Sequence, residues 1–156
     1  MIDIQKEWLG SVPWDKVLSV NQGLCQAQNT APQSKLESAE AARQLWAQAA
    51  PKAMSLAEAL DVCRHCHDLG PFLFNNGNTF AAISKTLVED WMQSLPALEA
   101  QILCTTVCHY VAGQIGKKEL INVLRHVETR WIATQPSRSV RPTRDQVSAQ
   151  PLSESV

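Results

Sequence analysis

The chain has 156 residues, enough for one domain with its own core and too few for several. Its formal net charge of −1 excludes a strong global field that would gather nucleic acid or an anionic membrane. The odd count of five cysteines argues against a closed disulfide framework.

The opening residues, MIDIQKEWLGSVPW, carry neither a basic leader nor the apolar stretch of a signal peptide. No run in the sequence is long enough to span a bilayer. The expected location is cytoplasmic, where thiols stay reduced. Ser11 and Pro13 mark a helix start, and Trp14, Val17, Leu18, Leu24 and Cys25 follow at helical spacing. Residues 29–33, NTAPQ, form a connector. Ser34 and Glu37 have the spacing of a capping box, and the helix after them carries Leu36, Ala39, Leu45, Trp46 and Ala49 up to Pro51.

Ser55 and Glu58 make a second capping box. The helix that they open holds Cys63-Arg64-His65-Cys66-His67 and should stop before Gly70-Pro71. At 100° per residue, Cys63 and Cys66 share the face of Leu56 and Ala59, His67 lies at its edge, and His65 points to water. After the loop FLFNNGN, Phe80, Ile83, Leu87 and Trp91 mark one amphipathic helix. Pro96 opens the next, with Leu103, Val107, Val111 and Ile115 on one face, Cys104 and Cys108 beside them and His109 on the polar side. A last helix, from Lys117 to Trp131, places Leu120, Ile121, Leu124 and Val127 together. From 133 onward, Ser, Pro, Gln and Arg replace apolar residues, and the sequence predicts a disordered tail over 133–156. The fold expected is all-α: a compact orthogonal bundle of about six helices over residues 1–132.

Two motifs bear on function. The first is the cysteine set. Buried free cysteine behaves as a small hydrophobe, so the reading adopted is packed thiols with no cofactor. The alternative is zinc: Cys63 with His67 and Cys104 with Cys108 are i, i+4 pairs that could supply four tetrahedral ligands, with Cys66 able to replace His67. A redox Cys-x-x-Cys is disfavoured, because the last turn of a helix opposes thiolate charge. The literal C-x-x-C-H, followed by Gly70-Pro71-Phe72-Leu73, resembles the haem-attachment region of small cytochromes c. That resemblance implies thioether bonds at Cys63 and Cys66 and a proximal ligand at His67. Haem is not expected, since the only later methionine, Met92, lies within a helix.

The second motif is Asn76-Gly77-Asn78. Asn and Gly suit a tight helix–helix connection, in which Asn78 or Thr79 caps the next helix. The alternative is an anion nest of backbone N–H groups. The stretch loosely resembles the Fic-domain motif H-P-F-x-[DE]-G-N-G-R, with Phe74, Gly77 and Asn78 in register and Asn76 in place of the acidic residue. Phe72 stands where that family has its catalytic histidine and Phe80 where it has its arginine, so the resemblance implies at most a degenerate, anion- or nucleotide-binding relative without AMP transfer.

No constellation for catalysis can be placed. Glu89 and Asp90 are adjacent on a helix and diverge, and Lys117 and Lys118 read as an exposed first turn. A helix-turn-helix around Ala112 to Arg125, with Gly113 to Lys118 as its turn, lacks a dense basic face on its second helix, so nucleic acid is not expected as a partner. The leading expectation is a helical protein-interaction or regulatory module that binds a protein partner or a second copy of itself, away from membranes.

Overall fold

Ser55 shows how local chemistry sets the helix boundaries. Its hydroxyl accepts from the Glu58 N–H at 3.2 Å, and the Glu58 carboxylate accepts from the Ser55 N–H at 2.9 Å. At the other end Gly70 takes a left-handed conformation, φ 61°, and donates to the His67 carbonyl. The expected capping box and glycine stop are therefore both present, and they bound the cysteine helix at Leu56–Leu69. Ser55→Ala removes one reciprocal bond from an exposed-to-buried helix entry and should cost about 0.5–2 kcal/mol in urea unfolding. A change too small to measure would mean that water replaces the cap.

The computed structural model describes residues 4–134 and contains seven helices there. They are α1 Trp14–Ala27, α2 Leu36–Ala49, α3 Leu56–Leu69, α4 Asn76–Leu87, α5 Glu89–Ser94, α6 Ala97–Val111 and α7 Lys117–Thr134. No strand occurs among the described residues, only two isolated bridges, Lys6 with Met54 and Ser34 with Phe72. The all-α fold is as expected. Ala133 and Thr134 still belong to α7, and the rest of the expected tail, 135–156, lies outside the described residues. No helix of the described residues is long and apolar enough to cross a membrane.

Two local expectations are corrected. The Ser34 capping box does not form, and Lys35 is the N-cap of α2 without a side-chain bond. The backbone of 33–35 instead pairs with 71–73: Lys35 N–H donates to the Pro71 carbonyl at 2.9 Å and Leu73 N–H to the Gln33 carbonyl at 2.8 Å. That pairing holds Ser34 in a bridge opposite Phe72 and away from the cap position. The helix expected from Phe80 to Trp91 is split at Val88, which is buried. The break lets Leu87 and Val88 enter the core while Trp91 packs edge-on against Trp8 and beside Trp131.

The core runs through every helix. Leu60, Cys63, Ile83, Leu103, Val107, Leu120 and Leu124 are all enclosed. An aromatic file crosses it, in which Trp46 meets Trp14, Trp14 stacks on Phe72, and Phe72 stacks on Phe80. The Trp46 indole also donates to the Val12 carbonyl at 2.8 Å, which fastens the segment before α1 to α2. α4 packs against α1, α3 and α6, so the residues singled out in the sequence surround one central helix.

Candidate functional site

The two motifs of the sequence meet in space. α3 ends at Leu69 and α4 begins at Asn76, and His67 Nε2 comes within 3.9 Å of where a β-carbon on Gly77 would stand. The His67 ring lies edge-on to Phe80, and its Nδ1 is 3.4 Å from the Asp68 carboxylate.

Around this junction the asparagines act as backbone surrogates. Asn75 takes φ 65° and serves as the N-cap of α4, so the helix starts earlier than Asn78 or Thr79, the caps expected from sequence. Asn76 clamps its own loop, accepting from the Phe72 N–H at 3.0 Å and donating to the Phe72 carbonyl at 2.7 Å. Asn78 donates to the Asn75 side chain. From α1, buried Asn21 donates to the Phe74 carbonyl at 2.8 Å and to the Thr79 hydroxyl at 3.2 Å. Asn76, Gly77 and Asn78 thus fall in the first turn of α4, where backbone N–H groups have no partner within the helix. Gly77 and Asn78 are exposed.

The cysteines divide into two kinds. Cys63 and Cys66 are both 0% exposed, as their helical face requires. Cys66 Sγ donates to the Ala42 carbonyl on α2 at 3.7 Å, while Cys63 faces Ser84 on α4. Burial pushes the Cys63 thiol far up and the Cys66 thiol up to about 12, so both are neutral, unreactive packing groups. Cys25 is equally buried. Cys104 and Cys108 are only partly buried, at the edge of the α6 core face. Cys108 Sγ donates to the Ala81 carbonyl at 3.7 Å, and burial raises this thiol to about 11.

The zinc arrangement, Cys63 or Cys66 with His67, Cys104 and Cys108, is not assembled. Cys66 faces α2, Cys63 faces Ser84, His67 lies beside Phe80, and Cys108 reaches Ala81. Among the described residues no group of three or more Cys, His, Asp or Glu side chains is placed to hold a metal ion. The physical reason is that adjacent faces of α3 point its donors at different neighbours.

A polar cluster that the sequence reading missed joins α3, α6 and α7. The Tyr110 hydroxyl donates to Asp61, Lys117 donates to the other oxygen of the same carboxylate, and Arg64 lies 4.8 Å over the Tyr110 ring. Arg64 also donates to the Ile115 carbonyl at 3.2 Å. Burial, with the Asp61 carboxylate as hydrogen-bond partner, pushes the Tyr110 phenol up to about 12. A phenol held protonated acts as a clamp rather than a base. The members lie about fifty positions apart in sequence, and nothing local signals their meeting.

The outer face of α6 is unlike that of an ordinary surface helix. Leu98 is 67% and Ile102 42% exposed, and Gln101 and Thr105 lie exposed on the same stripe. With Thr106 they line a shallow depression of about 340 Å³. The spacing 98, 101, 102, 105 is one helical face, and it holds no charged residue. No protein-family model, curated protein or solved structure matches the chain.

Proposed function

We propose that the protein is a helical interaction module that associates with a second copy of itself through the outer face of α6. The observation that carries this reading is the uncharged stripe of Leu98, Gln101, Ile102 and Thr105. Water-facing helix positions usually hold charges, and large exposed apolar side chains in a contiguous row mark contact surfaces.

The choice of a second copy rests on self-complementarity. A two-fold interface sets each patch against itself, so any charge would meet its like. This stripe brings no such pair together. In an antiparallel arrangement Ile102, near the middle of the helix, would lie close to the axis. Leu98 of one copy would then enter the depression beside Thr105 and Thr106 of the other, a large side chain against small ones. Opposed helix dipoles favour the same orientation.

Sedimentation equilibrium over a range of concentrations tests the reading. The native chain should dimerise reversibly. Leu98→Glu with Ile102→Glu places four carboxylates across the axis and should weaken association by roughly a hundredfold or more. Folding stability should stay within about 0.5 kcal/mol, because both positions face solvent. A native chain that stays monomeric at high concentration, or a double variant that dimerises as well as the native chain, would overturn it.

A further inference from the structure

We propose that the cavity lined by Trp8, Trp91 and Trp131 binds a small quaternary ammonium head, with Asp90 supplying the opposite charge. The site is separate from the α6 face and does not rest on it. The cavity measures about 190 Å³, and Ile4, Lys6 and Leu87 complete its lining. That is smaller than the roughly 300–1,000 Å³ of sites for drug-sized molecules, so it suits a compact head group. The Trp8 and Trp91 rings lie 6.2 Å apart with their planes at 90°, and the Trp91 and Trp131 rings 6.1 Å apart with their planes at 32°. The lining indoles therefore do not share a plane, and such rings enclose a rounded group better than a flat one.

The chemistry of the lining decides the charge of the ligand. A cation over an indole face is attracted by the negative face of the ring. One ammonium already makes this contact: Lys6 Nζ lies 3.8 Å from the centroid of the Trp8 ring. Asp90 is exposed and adds a carboxylate to the same lining. The side chains of Ile4, Leu87 and the three indoles offer no hydrogen-bond acceptor. A primary ammonium entering there would leave N–H donors without partners, whereas a quaternary ammonium has none to satisfy. Lys6 is the resident competitor. Its N–H donates to the Met54 carbonyl at 3.0 Å and its carbonyl accepts from the Met54 N–H at 2.9 Å, so its backbone is fixed, while the residue is exposed. Only the Lys6 side chain has to swing aside for the ligand to reach Trp8.

The test is isothermal titration calorimetry of the full chain with choline chloride at constant chloride concentration. Choline should bind saturably, and the uncharged alcohol with carbon in place of its nitrogen should bind about tenfold more weakly. Lys6→Gln removes the competitor and should tighten choline binding about fivefold, while Asp90→Asn removes the attracting charge and should weaken it about fivefold. Trp131→Leu, whose melting curve is measured alongside, should weaken binding about tenfold. Binding that appears only in Lys6→Gln would support the site, with Lys6 as its occupant. An alcohol that binds as tightly as choline would overturn it, and so would unchanged choline binding in Asp90→Asn or in folded Trp131→Leu. Failure of both the native chain and Lys6→Gln to bind choline would overturn it as well.

Discussion

Trp46→Ala is expected to remove most of the stability of the fold. The side chain is 1% exposed and packs against Trp14 in the aromatic file. Truncating a buried tryptophan costs about 3–5 kcal/mol through lost burial and the cavity left behind. The Val12 carbonyl also loses the indole donor, which adds about 1–3 kcal/mol when the acceptor stays buried. Set against about 5–15 kcal/mol for a whole domain, the sum leaves the variant marginal or unfolded at 25 °C. Trp46→Phe keeps an aromatic body and should lose only the smaller part. Urea unfolding followed by circular dichroism separates the three proteins. If Trp46→Ala shifted stability by less than about 1 kcal/mol, the role given to this residue would be wrong.

Asn21→Asp should be nearly as damaging, and its effect should depend on pH. Asn21 is 2% exposed and donates to the Phe74 carbonyl and the Thr79 hydroxyl. An aspartate of the same shape loses the donors and sets a carboxylate against a carbonyl oxygen. At neutral pH an uncompensated buried charge costs about 3–5 kcal/mol. Burial raises the carboxyl pKa in the folded state above the unfolded value near 3.9. Between those two values the folded chain binds more protons, so stability falls as pH rises through the folded value. The variant should therefore regain stability relative to the native chain on acidification toward pH 4. Asn21→Ala, which brings no charge, should lose about 1–3 kcal/mol at every pH. Parallel pH profiles for the aspartate and alanine variants would rule out a buried carboxylate at this position.

Asn21 also shows where sequence reading stops. Asn21 shares the helical face of Val17 and Cys25, so its inward position is legible, but the acceptors of its amide N–H groups lie 53 and 58 positions away and are not. The same holds for Tyr110 and Asp61. The stripe of Leu98 and Ile102 was hidden for a different reason. α6 is apolar nearly all round, and periodicity cannot tell which apolar face of such a helix is covered.

The sequence by itself determined the all-α class, the α3 boundaries at Ser55 and Gly70, and the inward face of Cys63 and Cys66. Each depends mainly on residues within one or two turns, and no tertiary pairing overrides those local terms there as it does at Ser34. Only the tertiary structure decided that Ser34 leaves its cap to pair beside Phe72, that the chain breaks at Val88, and that among the described residues Cys63, His67, Cys104 and Cys108 do not gather into a set of metal ligands. Those outcomes turn on which helix faces which. A one-turn cap is worth about 1 kcal/mol, and the burial of a single large side chain outweighs it.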